Sequence, residues 1–387
     1  MSTTDRRAES ASAASDIAAV CRDAEFVRLV ATADGDALAA TGVLARALAA
    51  TDRPFQASVV APTATAERAT EADATIALGR ADAAADAAIP AGSEPVSEVA
   101  FRAAEDLGHA DAVLAMAGAT VADAAPSGRL REAAAVSRRP GVATPTPDLA
   151  EGLAYGTRLH APFSGDPDDV REALADCNLM LAAEDADGMD EDDRRRLASM
   201  VALRTVSGDD ASRRAAECVE AALRPHAGGP FGTVEGYGDV LDAVAREAPG
   251  TGVALALGHD AREAALDAWR THGERAHRAL DAATTGRYDG LFVARGMAAD
   301  QDLPDAEAIP VGTAARLCRD FRSPEPVALF VTDGRAAAAA VADRRLGATM
   351  DAAVEDLGGR GAGTDRHARA DFETDTASFI EAFREAL

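Results

Sequence analysis

A chain of 387 residues is long enough for two domains with cores of their own, at roughly 150 residues per domain. The formal net charge is -26 and all 39 basic residues are Arg, so a lysine-bearing phosphate loop is excluded. Cys21, Cys177, Cys218 and Cys318 form no CxxC pair, which excludes a zinc knuckle or a disulfide framework and points to a reduced, cytoplasmic protein.

The opening residues, MSTTDRRAESASAASD, are small and polar, and residues 1–20 are expected to be disordered. From Phe26 to Ala119 short β-branched runs alternate with Ala-rich stretches. Strands are predicted at Phe26–Thr32, Phe55–Ala61, Thr75–Leu78 and Ala112–Met116, with helices at Ala37–Ala49 and Val96–Leu107. This alternation predicts βαβ units and a mainly parallel sheet. Ala150–Pro167 is rich in turn residues and reads as a crossing loop. Helices follow at Asp169–Asp176 and Glu191–Leu203, the second with acids in its first turn, where the helix dipole favours them. A second domain is predicted to begin near Pro225. It contains helices at Gly238–Arg246 and Ala261–Ala283, and strands at Val253–Leu257, Gly290–Ala294, Val327–Thr332 and Ala370–Glu373. No apolar run approaches the roughly 18 residues of a membrane span, so no membrane partner is expected.

Few residues suggest chemistry. Asp34-Gly35-Asp36 sits where an apolar strand turns into a helix, and open α/β sheets place their sites at the carboxyl ends of strands. The bland alternative is a turn and a helix cap. The acid run Glu184–Asp193 reads as a solvated turn and helix start, His160 and His259 as surface or satisfied polar groups, and Trp269 as core or interface. Leu357–His367 is dense in Gly and offers Arg360 and Arg366, the composition of an anion-binding nest or of a flexible turn. No GxSxG elbow is present. The excess of Asp and Glu suits a salt-rich cytosol, where a Debye length of about 3 Å near 1 M salt suppresses self-repulsion.

Leu29–Leu48, LVATADGDALAATGVLARAL, resembles the first motif of the DHH phosphoesterase family, to which the single-strand nuclease RecJ belongs. That motif runs His-x-Asp-x-Asp-Gly; with Asp34-Gly35 on its final pair, Val30 stands at the His position and Thr32 at the first Asp. LAMAGATVAD resembles the strand and loop of the fourth metal motif, with Asp123 in the ligand place, and LHAPFSGDPDD resembles the loop after the core. GYGDVLDAVARE with GTGVALALGHD, and VALFVTDGRAAAAAVADRRLGATMDAAVEDLGG, are similar to parts of the domain that accompanies the core in archaeal RecJ-like proteins. The glycine-rich segment resembles that domain's Gly-Gly-x-Gly-Gly-Gly-His motif: Gly358, Gly359, Gly361 and Gly363 match, Ala362 stands for a Gly and Thr364 for the His.

The resemblance implies an α/β fold: a parallel-sheet DHH-like core over residues 21–165, a helical connector over 166–224 and a smaller C-terminal α/β substrate-binding domain over 225–387. It implies metal ligation, vestigial or weak, by Asp34, Asp36 and Asp123, with Mn²⁺ or Mg²⁺ if the protein is active. It implies contact with single-stranded DNA or RNA by Gly359, Arg360, Gly361, Gly363, Thr364, Arg366 and His367, so a side chain at Gly361 should weaken strand binding without unfolding the protein. The departures cluster at the metal motifs: Ala77 stands where the second motif has Asp, and ADAAADAAIPAGSEP lacks the His of the Asp-His-His triplet. The expected function is therefore a catalytically impaired, strand-binding paralogue of DNA replication or repair. The eukaryotic helicase-associated relative of RecJ, which lost its metal site and binds the GINS complex, is the precedent for a GINS-like partner. The alternatives are an active metal-dependent exonuclease or oligonucleotide phosphoesterase, and a small-nucleotide binding module.

Overall fold

The computed structural model describes residues 3–64, 71–92, 94–122, 125–179, 186–296 and 309–387. The chain divides into two compact units, Met1–Arg139 with His226–Trp269, and Pro140–Pro225 with Arg270–Leu387. In chain order the first unit opens with α1 (Thr3–Asp23), β1 (Val27–Thr32), α2 (Gly35–Ala50), β2 (Phe55–Val60), β3 (Ala74–Leu78) and β4 (Ala87–Ile89). It continues through α3 (Val96–Asp106), α4 (Ala112–Val121), α5 (Gly128–Ala134) and β5 (Ser137–Arg138). The second unit takes up α6 (Leu149–Tyr155), α7 (Pro167–Asp176), α8 (Glu191–Val206) and α9 (Ala215–Glu220). The chain then supplies β6 (His226–Ala227), α10 (Val234–Glu247) and α11 (Pro249–Ala256) to the first unit, and α12 (Arg262–Asp281) contributes to both. The remainder belongs to the second unit: β7 (Thr284–Tyr288), β8 (Leu291–Arg295), α13 (Val311–Leu317), β9 (Val327–Thr332), β10 (Arg335–Ala340), α14 (Leu346–Glu355), β11 (Arg360–Gly363), β12 (His367–Asp371) and α15 (Thr376–Ala386).

Among the described residues the sheet of the first unit runs β2-β1-β3-β4, all parallel. Every residue of β1 is buried, as befits a central strand covered on both faces. The second unit carries a mixed sheet in the order β11-β12-β10-β9-β8-β7, in which only the β8–β9 pair is parallel. The expected α/β fold, with a parallel-sheet core and a separate C-terminal sheet domain, is thus present. The partition of the chain differs from the expected one. Residues 226–269 group with the first unit because α10 packs on α2 and α4, with Gly238 so close to α4 that an added Cβ would lie 2.4 Å from the Ala117 carbonyl oxygen.

Three other expectations change. Of the first 20 residues, Thr3 onward belong to α1, which places Ala14, Ile17, Ala18 and Cys21 on one buried stripe against α3 and β4. The apolar runs at Ala112–Met116 and Val253–Leu257 are helical. Asp111 caps α4 by accepting from the Leu114 N–H, and Pro249 opens α11 at the position where a missing N–H costs nothing. The crossing loop begins as α6, capped by Asp148. Conversely β10, with five consecutive alanines, is a strand despite the helix propensity of Ala, because β9 and β12 flank it and both its faces are buried. No helix among the described residues is long and apolar enough to cross a membrane.

Candidate functional site

The turn from β1 into α2 lies at the carboxyl end of the parallel sheet, where the sequence places Asp34, Gly35 and Asp36. Asp34 is the N-cap of α2, with extended φ and ψ of -147° and 162°, and its Oδ1 accepts from the Ala37 N–H at 2.8 Å. Asp36 points the other way. Its Oδ2 accepts from the Val96 N–H at 2.6 Å and its Oδ1 from the Ser97 N–H at 2.9 Å, capping α3, whose own N-cap is Pro95 and supplies no side-chain bond. A third carboxylate arrives from α10: Asp242 Oδ1 accepts from the Gly35 N–H at 2.9 Å, while its Oδ2 pairs with Arg246 Nη1 at 2.5 Å. Gly35 is required for this approach, since a Cβ there would lie 2.7 Å from the Asp242 backbone nitrogen.

Burial pushes the Asp34 carboxyl up to about 7; the neighbouring Asp36 charge adds to the shift, the Ala37 N–H and Arg246 oppose it, and Asp242 raises it further. Asp36 is also raised, by burial, against the stabilising bonds from Ser97 and Val96.

Seating a pair of Mn²⁺ or Mg²⁺ ions requires several oxygen or imidazole ligands converging, with a carboxylate shared between the ions. The residues present do not fit that requirement. Val30 is buried in β1, the Thr32 hydroxyl donates to the Gly79 carbonyl at 3.1 Å, and Ala77 lies within β3 with no donor atom in its side chain. Both oxygens of Asp36 and one of Asp34 are already given to backbone N–H groups. Among the described residues no three His, Cys, Asp or Glu side chains are grouped so as to hold a metal ion. Asp123 lies outside the described residues, as does part of the acid run at Glu184–Asp193.

The glycine-rich segment is a β-hairpin. Arg360–Gly363 pairs antiparallel with His367–Asp371, and the turn is closed by the Thr364 N–H donating to the His367 carbonyl at 2.7 Å. Thr364 Oγ1 accepts from the N–H groups of Arg366 and His367 at 3.3 and 3.2 Å. Of this segment's glycines only Gly358 has positive φ, at 68°. Gly359, Gly361 and Gly363 instead allow tight packing. Cβ atoms at Gly359 and Gly361 would lie 2.9 Å from Val354 Cβ and 2.6 Å from Asp351 Oδ1 of α14, and one at Gly363 would lie 2.3 Å from the His367 carbonyl oxygen. A side chain at Gly361 would therefore meet Asp351 of α14, 2.9 Å from its backbone nitrogen, so it is expected to strain the packing of α14 as well as to alter the hairpin.

The opposite face of the hairpin is cationic. Ala368 and Ala370 point into the core under α14 and α15, so His367, Arg369 and Asp371 face the other way. Directly paired residues share a face, which adds Arg360 and Ala362 from β11 and Arg335 from β10. Arg335, Arg360 and Arg369 are thereby gathered with the His367 imidazole and Asp371, and a second acid, Asp320, is held nearby by Arg319 at 2.7 and 3.0 Å. Arg369 lies flat against Gly312 of α13, where a Cβ would come within 2.4 Å of Nη2, and Arg319 Nη1 lies 3.5 Å from His367 Nε2. Arg366 is at the turn, paired with Asp343 Oδ1 at 2.7 Å.

Sequence reasoning missed Asp242, Arg246 and Arg369. The first two sit one helical turn apart in α10, but nothing local links Asp242 to Gly35, 207 positions earlier. His160 is a satisfied polar group, as one of its two readings had it, buried in a hydrogen-bond chain. Arg322 Nη2 donates to His160 Nε2 at 2.9 Å, so His160 carries its proton on Nδ1 and donates it to His277 Nδ1 at 3.0 Å. His277 then donates from Nε2 to the Gly156 carbonyl at 3.1 Å. Burial and the facing imidazole hold His277 down at about 3, and burial lowers His160. His259 is exposed, and Trp269 is core, with its Nε1 donating to Asp239 Oδ2 at 2.7 Å.

Comparison with known proteins places this geometry in context. The model of the C-terminal domain of the uncharacterised protein rrnAC1427 matches residues 283–385. Among solved structures, CDC45 from Entamoeba histolytica is similar over 97% of this chain and 99% of its own, at 9% identity and a TM-score of 0.60, which shows the shared fold. RecJ in complex with Mg²⁺ from Thermus thermophilus aligns with 97% of this chain at 16% identity and a TM-score of 0.46; the chain spans 51% of that protein's length. The uncharacterised protein rrnAC1427 of Haloarcula marismortui is 53% identical over 392 residues, covering 100% of both chains, and the chain described here belongs to its family.

Proposed function

We propose that this protein is a RecJ-like protein of DNA replication or repair that has lost two-metal hydrolysis and acts by holding single-stranded nucleic acid beside a GINS-like partner in a salt-rich cytoplasm. One observation carries the reading: among the described residues no three His, Cys, Asp or Glu side chains are grouped so as to hold a metal ion, while Asp36 gives both oxygens and Asp34 one to the N-terminal N–H groups of α3 and α2. A carboxylate oxygen that accepts one N–H keeps a second lone pair, so what the turn lacks for two-metal hydrolysis is the set of converging ligands that a pair of ions needs. The cationic face of the hairpin supports the strand-binding half of the proposal. Arg suits phosphate contacts because its planar fork meets two oxygens at once.

The test incubates purified protein with labelled single-stranded DNA or RNA in molar KCl and Mn²⁺. The expected result is saturable strand binding without release of mononucleotides, weakened several-fold by Arg360→Ala and His367→Ala together. Mononucleotide release abolished by Asp34→Ala would overturn the loss of catalysis, and unchanged affinity in the double variant would remove the hairpin face from the site.

A further inference from the structure

The buried carboxylates at the β1–α2 turn still need positive charge nearby, and the guanidinium that acts on Asp34 comes from α10. Arg246 Nη1 is 2.5 Å from Asp242 Oδ2 and donates to the Asp242 carbonyl at 2.6 Å, while Asp242 Oδ1 holds the Gly35 N–H at 2.9 Å. Both side chains are largely buried, at 16% and 12% exposure, so the attraction is weakly screened. The chain thus runs Arg246, Asp242, Gly35, Asp34, and it crosses from α10 into the turn at the head of α2.

We propose that Arg246 is a resident cation for this carboxylate group, paired with Asp242 and through it positioning the β1–α2 turn. The proposal rests on the non-catalytic reading above and extends it: the site is not merely short of ligands, it carries its own counter-charge. Desolvation is the reason such a charge is needed. Two or three carboxylates removed from water destabilise the fold unless paired, and a guanidinium anchored one turn along the same helix does this without loss of an ion to solvent. The charged groups that face the turn are Asp36 of α2, Asp242 and Arg246 of α10, and Glu98 of α3, which acts on Asp36.

A double-mutant cycle on the full chain tests this by melting temperature in molar KCl. Arg246→Gln is expected to lower the melting temperature of wild type by at least about twice as much as it lowers that of Asp242→Asn, because the amide oxygen keeps the Gly35 N–H bond but no longer needs the cation. Arg246→Lys is expected to restore most of the loss, since charge rather than the planar fork is what the turn requires. Additive effects in the cycle, or a Lys variant no better than Gln, would show that Arg246 only packs and would overturn the proposal. Should Arg246→Gln prove too unstable alone, its recovery in the Asp242→Asn background supports the proposal and failure in both backgrounds counts against it. Strand cleavage with Mn²⁺ would sink the non-catalytic reading without changing the sign of the cycle, so the two failures are distinguishable.

Discussion

Asp34 shows how a single residue decides between a cap and a ligand. As an N-cap it accepts the Ala37 N–H, a bond that an amide oxygen can also make. Its carboxyl is raised to about 7 in the folded chain, above its ordinary value of 3.8, so the stability linked to it is fully present below pH 3.8 and is lost as pH rises through 7. Asp34→Asn should therefore stabilise the protein at pH 8 and gain little at pH 4. The gain is about 1–2 kcal/mol, below the full value of the shift, because the residue keeps some contact with water. Urea midpoints at the two pH values check this. The imidazole pair works with the opposite sign. His160 and His277 are held below 6.5, so their contribution is intact above that value and is lost as pH falls from 6.5 towards 3. In His277→Gln, which keeps a donor for Gly156 and an acceptor for His160, the urea midpoint should fall less between pH 6.5 and 4.5 than in wild type.

Elements impose their own constraints. Asp36 caps a helix that has no cap of its own, so Asp36→Ala should leave the Val96 and Ser97 N–H groups unsatisfied and cost about 2–3 kcal/mol, measurable as faster hydrogen exchange in the first turn of α3. Gly361→Val should lower the melting temperature by several degrees, since its side chain meets Asp351 of α14, whereas Arg360→Ala on the opposite face should leave the melting temperature within about a degree. The same elements explain what the sequence made legible. β1, β2, β3, α2 and α3 were readable because β-branched runs alternate with Ala-rich stretches, and β9 because Val327–Thr332 is a continuous apolar run. Ala112–Val121 and Pro249–Ala256 were misread because apolar runs of that length have no distinguishing period, and the deciding signals were the Asp111 cap and Pro249. The hairpin is hard to read from sequence because glycine signals backbone freedom, whereas Gly359 and Gly361 serve proximity to α14.

At the scale of the whole molecule, a net charge of -26 opposes compactness by self-repulsion, and salt removes that opposition. The melting temperature should rise steadily from about 0.1 to about 2 M KCl, with most of the increase below the concentration at which the Debye length reaches about 3 Å. Of the candidate site, the sequence offered Asp34 and Asp36 because they are adjacent at a strand end. It could not offer Asp242 or Arg246, since a long-range return of the chain brings α10 to that turn. The same return defeated the linear partition into a core over 21–165 and a C-terminal domain over 225–387. The central claim is that the first unit's carboxylates cap helices and are neutralised from within the protein. Calorimetric titration of Mn²⁺ into the full chain in molar KCl addresses it most directly. The account predicts no saturable heat and no rise in melting temperature; binding of a pair of ions per chain, lost in Asp34→Asn, would contradict it.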